Sequence, residues 1–377
     1  MSGLISGGVS GSHFVKRLQV IYQEMKIRSW SSAWITSPAN LFYITGFLCH
    51  PHERFLGLYL TAESEEAILF VPALDYETAK SVSRICRIIP ISDQENPYEV
   101  ITSAIGVIPR GDIVGLEKGH VSVSKYESLA GVHSGAIFGD IGPLLTGLRM
   151  VKSPEEADEL ERAVDMAESA LVASLPYVRA GVSELELAAE ISYRLREAGS
   201  EKVSSPMVLF GSNSALPHGH TGHYRLQPND FVMIDFGAYS NGYGSDLTRT
   251  FVLGEGTEEQ AWIYEMVLEA NTRAIRSVCV GQPYGVVDRA ARELIDGHNY
   301  GSYFNHRTGH GLGLELHEEP SIHGDCTTLI SPGHLFTIEP GIYVPGLGGV
   351  RIEDDIYVEP NGKVKVLSKL SKKLQRL

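Results

Sequence analysis

Three acidic residues close apolar runs, where a bare carboxylate is costly. Asp235 follows Phe231-Val232-Met233-Ile234, Glu339 follows Phe336-Thr337-Ile338, and Glu353 follows Val350-Arg351-Ile352. A buried carboxylate without a partner is strongly unfavourable, so each needs a cation or good donors. A fourth acid, Asp246, lies in Gly244-Ser245-Asp246-Leu247-Thr248-Arg249-Thr250. The Asn241-Gly242 turn signal ahead of it predicts a hairpin that brings it beside Asp235. For these two alone an alternative stands, in which Asp246 pairs with Arg249 and Asp235 caps a turn. His306 and His310 lie in His306-Arg307-Thr308-Gly309-His310-Gly311, among glycines that let the backbone approach something closely. Four carboxylates in one cleft would repel one another unless roughly two divalent cations neutralised them. Oxygen-rich ligation with a single imidazole favours Mn, Co, Fe or Zn over a sulfur-loving site.

These residues need elements to hold them. Ser153-Pro154-Glu155-Glu156 is a helix start: serine caps, proline suits the first turn, and Glu156 completes a capping box. Leu160, Ala163, Val164, Ala167 and Leu171 then form an apolar stripe. A second helix opens at Ser183-x-x-Glu186, carries Ala188, Ile191 and Leu195, and stops at Gly199. The same grammar recurs from Thr257-x-x-Gln260, with Ile263, Met266, Val267 and Ala270 on one face. Its second helix carries Val287, Ala290, Ala291 and Leu294 and ends at Gly297. Strand-rich blocks, 203–253 and 303–358, follow the two helix pairs. Two helix–helix–sheet halves with a cleft between them are expected. Upstream, a helix carrying Leu18, Ile21 and Met25 and β-rich runs at 33–36, 55–60, 67–71 and 112–116 predict a small α/β unit. The expected boundaries are a flexible Gly/Ser-rich tail over 1–11, an N-terminal domain over 12–145 and a C-terminal domain over 146–377.

Composition bounds the partners. The chain has 377 residues, 43% hydrophobic and 21% charged, which is globular. No apolar run is long enough to span a membrane. A net charge of −14 without basic runs makes nucleic acid and anionic membranes poor partners. The N-terminus lacks a signal-peptide pattern and the four cysteines lack CxxC spacing, so a cytoplasmic location is expected. Nine of the fourteen histidines fall between His218 and His334, which assigns the chemistry to the C-terminal domain.

The ordered set Asp235, Asp246, His310, Glu339 and Glu353, in the contexts DFG, GSDLTRT, HRTGHGLG, IEPGIY and RIEDD, resembles the pita-bread metallopeptidases. Within them it is most similar to the Xaa-Pro peptidases, prolidase and aminopeptidase P, over essentially the whole chain. The resemblance implies an α+β chain: a pita-bread catalytic domain on a six-stranded curved sheet, preceded by a smaller creatinase/prolidase-type α/β domain. It implies a dinuclear centre, with Asp235 on one metal, His310 and Glu339 on the other, and Asp246 and Glu353 bridging. Two divalent ions per chain are expected, with Mn favoured and Co, Zn or Fe as alternatives. A hydroxide shared by two cations has a depressed pKa and attacks a peptide carbonyl near neutral pH, with Glu339 as proton acceptor and donor. By the same resemblance, His218 steadies the substrate and the tetrahedral intermediate. His317 contacts the scissile carbonyl or passes protons. His306 lines the proline side of the cleft. Arg351 pairs with Asp235 or meets a substrate carboxylate. Tyr243 and Arg249 are expected to be structural, and His220, His223, His298, His323 and His334 to be surface or loop residues.

The implied substrates are short proline-containing peptides, with Xaa-Pro dipeptidase activity ahead of Xaa-Pro aminopeptidase activity. Methionine aminopeptidases share the five residues but typically lack so long an N-terminal domain, and creatinase lacks the ligand set. A non-enzymatic binding protein on the same fold is the alternative of another class, and such proteins have usually lost ligands. A homodimer is implied, the N-terminal domain of one chain bordering its neighbour's site. The SPANLFYITG motif and the polar His50-Pro51-His52-Glu53-Arg54 run fit that arrangement.

Overall fold

In the computed structural model, which describes residues 11–83, 86–106, 110–203 and 205–377, the chain divides after Arg149 into two compact units. The tail expected over 1–11 lies outside the described residues except for Gly11, which opens α1 (Gly11–Ile27). The first unit continues with α2 (Pro38–Thr45), α3 (Tyr76–Val82), α4 (Pro97–Ile105), α5 (Val123–Val132) and α6 (Gly142–Met150). Its strands are β1 (Ser32–Ile35), β2 (Gly57–Thr61), β3 (Ala67–Pro72), β4 (Arg87–Ile91), β5 (Ile113–Leu116) and β6 (Ile137–Asp140). Among the described residues they form one sheet in the order β4-β3-β2-β1-β5-β6. Four of them match the expected apolar runs; β4 and β6 do not. Both are edge strands, which bury one side only. Pro90 in β4 and the Gly139-Asp140 end of β6 weaken the strand pattern, as edges commonly do. Trp34, Tyr59, Phe70 and Leu116 lie in the core of this unit.

The second unit contains two helix pairs. α7 (Pro154–Ser174) and α8 (Glu184–Glu197) precede the first strand block, and α9 (Glu258–Ser277) and α10 (Gly285–Gly297) the second. All three expected capping boxes form, at Ser153/Glu156, Ser183/Glu186 and Thr257/Gln260. Each satisfies two backbone donors that a helix start leaves bare. The strands are β7 (Met207–Phe210), β8 (Phe231–Phe236), β9 (Tyr239–Ser240), β10 (Tyr243–Gly244), β11 (Leu247–Val252), β12 (Gly309–Gly311) and β13 (Glu318–Ile322). They continue with β14 (Leu335–Ile338), β15 (Gly341–Val344), β16 (Gly348–Arg351), β17 (Asp354–Val358) and β18 (Val364–Val366). Hydrogen bonding groups them as β11-β8-β7, β13-β12-β14-β17-β18 and the hairpins β9-β10 and β15-β16, not as one six-stranded sheet. The ladder is interrupted by a register shift between His310 and Gly311. It is interrupted also at Gly237, where a Cβ would lie 1.8 Å from the Ser245 carbonyl oxygen. Among the described residues no helix is long and apolar enough to cross a membrane.

Each helix pair has its own core, and strand periodicity divides the labour. On β8, Val232, Ile234 and Phe236 pack with α7 and α8 residues. The intervening Met233 packs with Leu209 and Tyr343 instead. Asp235 shares the parity of Met233, so it faces away from that helix pair. In the second block, Phe336, Ile338, Val350, Ile352 and Ile356 pack with α9 and α10 residues. Thr337, Glu339, Arg351 and Glu353 have the opposite parity. Apolar side chains thus anchor each strand from one face while the acids emerge on the other.

Candidate metal centre

The five residues converge. One ligand atom from each of Asp235, Asp246 and Glu353 lies within 4.8 Å of the other two, as do those of His310, Glu339 and Glu353. Asp246, His310 and His317 form a third such group. Asp235 and Asp246 meet because β8 and β11 pair with Thr248 opposite Asp235, and the Asn241-Gly242 turn folds β9 onto β10 with both residues at positive φ. Thr248 Oγ1 donates to Glu353 Oε2 at 2.6 Å and accepts from Arg351 Nε at 3.1 Å. From α9, buried Asn271 Nδ2 donates to the Ile338 and Ile352 carbonyls, tying together the segments that lead into Glu339 and Glu353.

Electrostatically the cluster is unbalanced. Burial first, then repulsion from Asp235, Asp355 and Glu339, pushes the Asp246 carboxyl well above the usual range. Burial and the charges of Asp246, Glu339 and Asp235 do the same to Glu353. Glu339 is pushed up to about 7, mainly by burial, against the opposing pull of Arg351. His310 is held neutral, its pKa lowered to about 3, chiefly by burial and then by His317. Its Nδ1 lies 3.0 Å from the Gly311 carbonyl, which can only accept, so Nδ1 carries the proton. The Nε2 lone pair therefore faces Glu339 Oε1 at 3.3 Å and Asp246 Oδ2 at 3.7 Å. Lone pairs facing lone pairs among buried acids make a donor set that fits divalent cations.

A pH dependence follows. Below about pH 4.5 Glu339 is protonated in both folded and unfolded chains; between there and about pH 7 only the folded, metal-free chain keeps the proton. The folded state then binds more protons, so metal-free stability falls as pH rises through that window, by on the order of 3 kcal/mol from Glu339 alone. Asp246 and Glu353 act in the same direction. The difference in Tm between metal-loaded and chelated protein should therefore widen by several degrees from pH 5.5 to 8. A constant difference would contradict this account of the cluster.

A cleft of about 390 Å³ opens over the acids, lined also by His218, His306, Arg307, His317 and Arg351. A larger groove of about 560 Å³ in the first unit, beside Trp30, Tyr59 and Asp112, is remote in sequence from every one of these residues. His218 and His317 are exposed on the cleft. Burial and then Arg307 lower the His317 pKa. His306 is committed: its Nδ1–H donates to the Arg307 carbonyl at 2.7 Å and its Nε2 accepts from the Tyr343 hydroxyl at 2.8 Å. Arg351 is committed as well. It pairs with Asp235, and it donates to Tyr343 Oη at 3.0 Å, the Pro217 carbonyl at 3.3 Å and Thr248. Arg307 is different. Among the described residues its side chain makes one hydrogen bond, to Ser321 Oγ at 3.1 Å.

The alternative pairing of Asp246 with Arg249 does not form, and one histidine departs from its expected place. Arg249 does not pair with Asp246; it donates to Asp354 at 2.9 Å and to the Glu353 carbonyl at 2.5 Å. Lys372 reaches Asp354 from the other side at 2.8 Å. Burial pushes the Asp354 carboxyl up, but Arg249 and Lys372 together hold it below the usual range. His334 is buried, not superficial, with its ring stacked on Tyr284 and Nδ1 3.0 Å from the Tyr284 hydroxyl. Tyr243 donates to Glu156 at 2.7 Å, a supporting contact. Arg307, Tyr343 and Asp355 sit inside the motifs HRTGHGLG, IEPGIY and RIEDD, yet residue type alone assigns them no partner. Thr248 likewise sits inside GSDLTRT with no partner assigned, and Asn271 lies outside every motif.

Residues 158–360 match the metallopeptidase family M24, and residues 17–151 match the creatinase/prolidase N-terminal domain. YkvY of Bacillus subtilis, named as a candidate dipeptidase, is 39% identical over 93% of this chain and 97% of its own. The structure of a prolidase from Thermococcus sibiricus superposes with a TM-score of 0.91 at 32% identity, over 98% of this chain and all of that one. An X-Pro aminopeptidase from Thermotoga maritima gives a TM-score of 0.86 at 27% identity, over 96% and 99%.

Proposed function

The chain belongs to metallopeptidase family M24, and from that premise we propose that it is an Xaa-Pro dipeptidase that works with two divalent cations, manganese in function. The observation that carries this reading is the His310 Nε2 lone pair facing Glu339 and Asp246, in a cluster completed by Asp235 and Glu353. Asp235 would hold one cation, His310 and Glu339 the other, and Asp246 and Glu353 both. Bound there, the cations would make water a nucleophile near neutral pH and polarise the scissile carbonyl.

The chain's own groups would do the rest. Glu339, on the cleft beside His310 Nε2, takes a proton from the attacking water and returns it to the leaving proline nitrogen. His218 and His317, both on the cleft, steady the substrate carbonyl as charge develops on its oxygen. The commitments of His306 and Arg351 make them shape the proline side rather than capture a charged group. Arg307 has donors to spare and is assigned the substrate carboxylate.

Dipeptidase is preferred to aminopeptidase because Arg307 offers the cleft a guanidinium with donors to spare for a carboxylate, and because the YkvY and Thermococcus sibiricus relatives carry dipeptidase and prolidase names. Similarity to the Thermotoga maritima aminopeptidase supports the alternative. The two readings part on Ala-Pro and Ala-Pro-Ala at equal concentration. The dipeptide should turn over faster; a tripeptide cleaved at least about tenfold faster, roughly 1.4 kcal/mol in favour of the longer chain, would overturn the assignment. A homodimer is part of the proposal, and a fully active monomer by light scattering at micromolar concentration would remove it. All four cysteines are free thiols, which favours the cytoplasm; fractionation tests that.

A further inference from the structure

We infer that the buried ion pair between Lys152 and Glu318 is a positioning device for His317, so that Lys152 is a positioning residue for the reaction. The inference rests on the role proposed above for His317. Lys152 Nζ lies 3.1 Å from Glu318 Oε2, and the two side chains are only 2% and 6% exposed. Taking two charges out of water is expensive, and replacing such a pair with apolar groups is often neutral or stabilising. A buried pair is therefore weak evidence of added stability, and its location is the better guide to its use.

That location is the base of the loop that ends in His317. Glu318 is the next residue and starts β13, opposite Gly311 of β12, one residue after the proposed ligand His310. Its Oε1 accepts the Glu315 N–H at 3.1 Å, so the same carboxylate holds the loop at a second point. Gly313 crosses directly over the pair: a Cβ there would lie 2.9 Å from Glu318 Oε1 and 3.0 Å from Lys152 Cε. The Gly313 carbonyl in turn accepts the Gly244 N–H at 2.8 Å, two residues before Asp246. Lys152 is fixed from behind. Its N–H donates to the Gly333 carbonyl at 2.7 Å, Val151 bridges to His334, and Ser153 caps α7. The outcome is an exposed imidazole on a short loop whose following residue is charged and buried. The His317 ring stands with its centroid 4.2 Å from that of His310. Without the ammonium, the Glu318 carboxylate would turn toward water and carry the loop, and His317 with it, out of that position.

The test is a double-mutant cycle on the metal-loaded full chain with Ala-Pro as substrate: Lys152→Met, His317→Ala and the pair, with metal content and melting temperature measured on each. Lys152→Met should lower kcat about 30-fold, change KM less than threefold and leave the metal content intact. In the His317→Ala background the same substitution should cost less than threefold, and Lys152→Arg should recover most of the loss. Glu318→Gln runs the same cycle if Lys152→Met does not fold. A His317→Ala enzyme that is slow, with an undiminished Lys152→Met penalty on top, would overturn this inference alone. A His317→Ala enzyme as fast as wild type would remove His317 from the reaction, and the inference with it.

Discussion

Asp246→Ala is expected to lower kcat/KM on Ala-Pro by at least 10⁴-fold, about 5.5 kcal/mol of transition-state stabilisation, with the fold retained. Asp246 belongs to two of the three ligand groups, one with Asp235 and Glu353 and one with His310 and His317. No other carboxylate in the cluster reaches both sides in this way except Glu353. Its loss would leave each cation short of a charged ligand. The same substitution relieves the metal-free protein. It deletes a carboxyl whose ionisation is opposed by burial and by three acidic neighbours. The backbone N–H that binds Asp355 at 3.2 Å remains. Circular dichroism and melting temperature should therefore stay near wild type while metal content and hydrolysis fall. Retention of more than a tenth of the activity would contradict the shared role of Asp246.

Glu339→Gln is the second large effect, and a different one. Glutamine keeps the shape and one acceptor, so Thr337 Oγ1, 3.4 Å away, keeps its partner. What disappears is a negative charge on the proposed ligand and the carboxylate proposed to carry the proton. General acid–base catalysis alone contributes about 10²–10⁴-fold, and a weakened ligand adds to that. kcat should fall about 10³-fold or more, KM less than threefold, and the variant should retain at least one ion per chain through Asp235, Asp246 and Glu353. A kcat above half that of wild type would exclude Glu339 from the proton transfer.

The parts of this molecule legible in the sequence are those governed by local rules. Ser153/Glu156, Ser183/Glu186 and Thr257/Gln260 announce helices because a capping box is a contact between residues three apart. Asp235, Glu339 and Glu353 stand out because period-two burial makes an acid at the end of an apolar strand conspicuous. Edge strands β4 and β6 were obscure because an edge needs less apolar surface. Long-range partner choice was obscure for another reason: many pairings satisfy the same residue types. Arg249 turned to Asp354, Lys372 came in from the C-terminal segment to the same carboxylate, and Lys152 met a glutamate 166 residues away. His334 illustrates the same limit, since a histidine next to Gly333 in a loop gave no sign that Tyr284 would bury it.

If this cluster holds two divalent cations, hydrolysis depends on them. The most direct test is metal analysis of the purified chain, followed by exhaustive chelation, assay on Ala-Pro and titration with Mn²⁺. About two ions per chain are expected, with loss of activity on chelation and recovery that saturates at the same stoichiometry. Full activity in metal-free protein would contradict that dependence.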